Sequence, residues 1–215
     1  MIRELKWSLL FVITNIVLLG GLDGYAQKKK ENLKWGISYG MGAQDRFPFD
    51  LPDYKHEVSF YKVVLNYRFK NNTKWAFEVN LEPSFYVAKH QLLNKYYVKP
   101  SDAEDYREQN EFYMQERTIK EYVLNCGLIA RYKIYDGLST YAVGSVGPMI
   151  SNKETERLAK GFAFSDILGL GLSFEINKIQ LDFRYSLRHT SNLEMKQPNG
   201  GHNTTNTEFS VLFKL

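Results

Sequence analysis

From Leu33 onward the chain alternates with a period of two, and charges keep returning in the middle of the polar face. Leu33, Trp35, Ile37, Tyr39 and Met41 oppose Gly36, Ser38, Gly40 and Gly42. Val63, Leu65, Tyr67 and Phe69 oppose Lys62, Asn66 and Arg68. Trp75, Phe77, Val79, Leu81, Phe85 and Val87 oppose Lys74, Glu78, Asn80, Glu82 and Ser84. Side chains on successive strand residues point to opposite faces, so this pattern predicts strands with one apolar and one polar side. Tyr122 to Tyr132 alternates in the same way against Glu121, Asn125, Arg131 and Lys133, which places Cys126 on the outward face. A weaker segment, rich in small residues, runs from about Ser139 to Ile150. Leu168 to Phe174, Ile179 to Leu187, and Phe209 to Leu215 complete the set. That makes eight strands.

The connections alternate too. Lys70 to Thr73, Tyr135-Asp136-Gly137 and Ile176-Asn177-Lys178 read as tight turns, and Asp-Gly is the best hairpin chemistry among them. Ala88 to Arg117 and Ser151 to Lys160 read as long polar loops. Short turns at one end, long loops at the other and an even strand count fit a transmembrane barrel. Closure is required there, because an open sheet edge in hydrocarbon leaves backbone groups unpaired. The fold class is therefore all-β: an eight-stranded antiparallel transmembrane β-barrel of the bacterial outer membrane. A barrel of eight is just filled by its inward side chains, so Glu78, Glu82, Arg131, Asp182, Arg184 and Arg188 should form a packed polar core and not a pore.

The rest of the sequence agrees with export. Arg3 and Lys6 precede an apolar run from Trp7 to Leu19, and Gly24 and Ala26 supply small residues two apart. This predicts a signal peptide over 1–26, with the barrel over 27–215. Aromatics make up 15% of the 215 residues, which suits strands and membrane interfaces. Cys126 is the only cysteine, so no intramolecular disulfide can form. A net charge of +4 from scattered basic residues gives no nucleic-acid footprint.

Chemistry concentrates in Arg188-His189-Thr190-Ser191-Asn192, at the outer end of the seventh strand. Parity puts His189 and Ser191 on the lipid-facing side with Leu181, Phe183, Tyr185 and Leu187. An imidazole and a hydroxyl brought together there are the base and nucleophile of acyl transfer, with a third group orienting the ring. On spacing alone, a rim His followed by Ser-Asn is also ordinary interfacial and loop chemistry.

The run from Phe183 to Gln197-Pro198-Asn199 resembles the lipid A 3-O-deacylase family, also called outer-membrane acyloxyacyl hydrolases, which carries a His-x-Ser-Asn motif before a short Pro/Asn/Gly loop. The resemblance implies His189 as general base, Ser191 as nucleophile and Asn192 as an oxyanion donor. The family has a Glu to orient the imidazole where Asn203 stands in this chain. Asn203 can hold the tautomer but brings no charge; Glu194, in the loop, is the alternative, and Glu208 has inward parity. The implied substrate is lipid A in lipopolysaccharide, with outer-membrane lipids as surroundings. No cofactor is implied, and a homodimer is left open.

No other constellation competes at this level. His56, His90 and His202 fall in loops with no metal-ligand spacing, so no metal is expected. Asp102, Glu104, Asp105, Glu108 and Glu111 form an acidic outer-loop stretch, read as solvated. The reading of a different class is a structural or adhesive small barrel without activity, motivated by the missing Glu.

Overall fold

The computed structural model describes residues 32–49 and 51–215. The expected signal peptide lies outside the described residues. Eight antiparallel strands close in sequence order: β1 (Leu33–Ala43), β2 (Tyr54–Asn71), β3 (Trp75–Leu92), β4 (Arg117–Tyr135), β5 (Leu138–Ser151), β6 (Gly161–Ile176), β7 (Ile179–Ser191) and β8 (His202–Lys214). β1 pairs with both β2 and β8, which seals the ring. One helix, α1 (Tyr106–Tyr113), lies in the β3–β4 loop and takes up part of the acidic stretch expected to be irregular. Among the described residues no helix is long and apolar enough to cross a membrane.

The expected register holds through the lipid-facing band. Trp35, Ile37, Leu65, Cys126, Leu128, Leu168, Leu170 and Phe183 are exposed on the outside of the ring. Their inward neighbours are buried and polar. Lys62 pairs with Glu82 at 3.0 Å and Glu208 at 2.9 Å, and Arg184 meets Glu82 at 2.9 Å. Nearer the tight turns Arg131 pairs with Glu78 at 3.0 Å, and nearer the loops Arg188 pairs with Glu121 at 2.8 Å. Removing charges from water is expensive, and only dense mutual pairing and hydrogen bonding offset the cost. The weak fifth segment fits the same interior: its inward Tyr141 lies under the Arg131 guanidinium at 4.6 Å. An aromatic there serves a cation, so apolar and polar no longer sort cleanly by face.

Toward the loops the binary pattern inverts. On β2 the inward residues become Tyr54, His56, Val58 and Phe60, while Lys55, Glu57 and Ser59 turn outward. β3 does the same with Tyr86, Ala88, His90 and Leu92 inside and Lys89 and Gln91 outside. A small apolar core results, containing Val58, Phe60, Tyr86, Ala88, Ile119, Met149 and Leu158. Beyond the lipid the barrel's outer face meets water, so it follows the ordinary rule of apolar inside and polar outside.

This corrects the expected loop boundaries. Ala88 to Leu92 belongs to β3, and β2 and β8 begin well before Lys62 and Phe209. His56, His90 and His202 are accordingly strand residues with inward parity. The inversion has a measurable consequence. Leu170→Arg, on the outside of β6 within the apolar band, should cost about 2–4 kcal/mol in a refolding titration into bilayers. Gln91→Arg, also outward but beyond the band, should cost less than about 0.5 kcal/mol. Equal costs would contradict the placement of the lipid boundary.

Candidate active site

β7 delivers His189 and Ser191 to the outer rim on the lipid-facing side, as the alternation requires. The register sets His189 opposite Asn203 on β8. His189 Nδ1 donates to Asn203 Oδ1 over 2.7 Å, an arrangement that in a neutral imidazole puts the lone pair on Nε2. Gly201 makes room for this pairing. Its φ is +65°, and a Cβ there would lie 2.4 Å from the Thr190 carbonyl oxygen and 3.2 Å from His189 Cε1. A side chain at that position would be strained by the backbone conformation and would clash with the Thr190 carbonyl, while the ring would have to give by a few tenths of an ångström.

The other neighbour of His189 was not expected. β6 begins at Gly161, earlier than its apolar run suggests, and its register sets Asp166 directly across from His189. Asp166 is exposed and outward. Residues opposed in this way have Cβ atoms about 4.5–5.5 Å apart. In the register His189 therefore lies between an amide residue on β8 and a carboxylate residue on β6. A charged residue with outward parity in a strand otherwise apolar outside was the available sequence signal.

After Ser191 the chain turns sharply. Leu193 and Glu194 both have positive φ, 52° and 62°, where non-glycine residues carry strain. His189, Ser191, Leu193, Glu194, Asn199 and Gly200 line a shallow pocket of about 360 Å³. Glu194 thus borders the pocket, while the hydrogen bond from the ring goes to Asn203. Among the described residues no hydrogen bond joins Ser191 Oγ to the ring; such contacts are often long before substrate arrives.

Asn192 does not join the group. It follows Ser191 by one residue and so turns inward, buried, with Nδ2 donating to the Lys196 carbonyl at 2.6 Å. Its backbone N–H donates to Asn199 Oδ1 at 2.9 Å, which fixes the Asn199 side chain with its amide NH₂ directed away from that bond.

Two outer loops brace the pocket. The β5–β6 loop pairs with the β7–β8 loop through Ala159 N–H to Pro198 O and Gly201 N–H to Arg157 O, each 2.9 Å. Arg157 also donates to the Gly201 carbonyl at 2.7 Å and the Gly200 carbonyl at 2.9 Å. The β1–β2 loop folds down the outside of the barrel: Thr205 Oγ1 and Tyr185 Oη donate to the Phe47 carbonyl at 3.0 and 3.2 Å. Phe47 itself is 86% exposed, beside the lipid-facing surface below His189.

Comparison with known proteins bears on the fold and on the family. A crystal structure of the outer membrane enzyme PagL aligns at 13% identity with a TM-score of 0.47, covering 81% of this chain and 97% of that one. Neisserial surface protein A aligns at 11% identity and a TM-score of 0.50, covering 86% and 97%. Ail of Yersinia pestis aligns at 14% and 0.36, covering 84% and 97%. The likeness to Neisserial surface protein A concerns the fold alone. No curated protein matches the chain in sequence. The model of the family described as "Lipid A 3-O-deacylase (PagL)" matches residues 17–211, almost the whole chain, and the protein therefore belongs to the lipid A 3-O-deacylase family.

Proposed function

We propose that this chain is an outer-membrane esterase that removes a 3-O-linked hydroxyacyl chain from lipid A, with Ser191 as nucleophile and His189 as base. The observation that carries the reading is the His189 Nδ1–Asn203 Oδ1 bond at 2.7 Å, which fixes the tautomer a general base needs on the strand that also presents Ser191 to lipid. His189 Nε2 takes the Ser191 proton as Oγ attacks the ester carbonyl. The resulting oxyanion is met by the amide NH₂ of Asn199, which replaces Asn192 in this role. A preorganised donor of that kind is worth about 3–4 kcal/mol. Collapse returns the proton to the departing sugar hydroxyl. A water activated by the same nitrogen then releases the acyl chain from Ser191 as a carboxylic acid. Acyl chains in the membrane lie along Leu187 and Tyr185, with Phe47 as a side wall.

Asn203 cannot offset the charge of the imidazolium that forms on the way. Asp166 can, from the opposite side. Purified protein in detergent micelles should release 3-hydroxy fatty acid from lipid A, and Asp166→Asn should lower turnover on the order of tenfold with little change in KM. Unchanged turnover in Asp166→Asn would remove Asp166 from the mechanism, and no acid release by the native protein would reject the esterase reading.

A further inference from the structure

The three histidines inside the outer end of the barrel take no part in that chemistry. His56 and His90 are cross-strand partners on β2 and β3, and His202 enters from β8. They are 2%, 1% and 3% exposed. The His56 and His202 rings stack with centroids 4.4 Å apart, and His90 stands edge-on to both at 5.3 and 4.9 Å. One ring nitrogen from each lies within 4.8 Å of the other two.

Two rings have their second nitrogen occupied. His90 Nε2 lies 2.8 Å from the buried Glu156 carboxylate, and His202 Nε2 lies 2.9 Å from Thr155 Oγ1. The nitrogen left over on each is Nδ1. His90 Nδ1 faces His56 Nδ1 at 3.1 Å, whereas His202 Nδ1 is buried and has no hydrogen-bond partner among the described residues. One N–H···N bond can satisfy two of the three nitrogens and never the third, and an orphaned buried nitrogen is costly. A single cation satisfies all three at once.

The spacing suits one. Ligand nitrogens about 2.0–2.1 Å from a tetrahedral zinc are about 3.3 Å apart, near the observed 3.1 Å pair, and the third closes with a movement of about 1.5 Å. Imidazole nitrogens select ions of the zinc, nickel and copper type over calcium or magnesium. A ligating His usually gives its other nitrogen to a carboxylate or similar partner, the arrangement His90 has with Glu156. We propose that His56, His90 and His202 bind one divalent transition-metal ion through Nδ1, with Glu156 and Thr155 orienting the rings.

Such an ion ties β2, β3 and β8 to the β5–β6 loop that carries Thr155 and Glu156. Arg157, next in that loop, holds the Gly200 and Gly201 carbonyls at the pocket's edge. His202 also precedes Asn203, one facing the ion and the other the catalytic ring. Metal binding should thus stiffen the rim that supports the site; this link rests on the esterase reading, whereas metal binding itself does not.

The test uses untagged protein refolded in detergent, stripped with a chelator, then titrated with zinc chloride by calorimetry and with cobalt chloride by visible absorption. One ion per chain should bind, cobalt should show the intense ligand-field bands of low-symmetry nitrogen coordination, and zinc should raise the melting midpoint. His90→Gln and His202→Gln should each weaken binding at least tenfold and abolish the melting shift, and Glu156→Gln should weaken it about tenfold. His189→Ala and Ser191→Ala should bind as the native chain does. Heat-dependent gel mobility identifies folded barrels, so only folded variants are compared. The native protein failing to take up an ion stoichiometrically would overturn the proposal, as would uptake unchanged in folded His90→Gln. Neither outcome touches ester hydrolysis, which is read separately.

Discussion

Ser191→Ala and His189→Ala should each abolish release of the 3-hydroxyacyl chain, with loss of at least about 10³-fold in turnover, and the double variant should be little worse than either. Non-additivity is the informative part. If hydroxyl and imidazole act as one unit, removing either removes the proton transfer, and removing the second changes nothing further. Both residues sit on the outer rim, and neither belongs to the buried ion-pair network that fills the barrel. Folding, read by heat-dependent gel mobility, should therefore survive in all three variants. Additive losses would mean that His189 and Ser191 contribute independently, and the assignment of base and nucleophile would fail.

Asn203→Glu should raise turnover on the order of tenfold or more. Asn203 already fixes the tautomer through its 2.7 Å bond, so a carboxylate in its place adds only the charge that favours the imidazolium. In a serine protease the reverse exchange, Asp to Asn, lowers turnover about 10⁴-fold, largely through the tautomer. The gain expected here is smaller because the tautomer is already right and Asp166 flanks the same ring. It should grow in the Asp166→Asn background, where no other carboxylate opposes His189 across the register. Measuring kcat for the four combinations gives the coupling directly. A gain from Asn203→Glu that is identical in both backgrounds would show that Asp166 does not act on the ring. A loss of activity on Glu194→Gln with no response to Asn203→Glu would place the orienting group in the loop instead.

Where the sequence was readable, one rule was at work. Between the tight turns and the level of the ion pairs, outward residues meet lipid and inward ones meet each other's charges. Alternation then reports the face directly, which is why His189 and Ser191 could be set on one surface and Glu208 on the other. The rule fails where the barrel leaves the membrane. Tyr54, His56, Val58 and Phe60 face inward there, and by the lipid-phase rule they look like no strand at all. The starts of β2 and β8 and the end of β3 were lost for that reason, and with them the meeting of His56, His90 and His202. Asp166 is hidden similarly, because the run of alternating leucines in β6 starts only after it, at Leu168. Asn192 is a different case: strict parity after Ser191 already turns it inward, and the family motif suggested a role that its own position in the alternation opposes.

Mass spectrometry of lipid A from cells that express the native chain, set beside cells expressing Ser191→Ala at equal outer-membrane levels, bears most directly on the assignment as a deacylase. The native chain should shift lipid A to a species lighter by one hydroxyacyl group at the 3-position, with the matching free 3-hydroxy acid recovered, and Ser191→Ala should leave lipid A intact. Identical lipid A from the two strains would contradict the account and leave a structural or adhesive barrel.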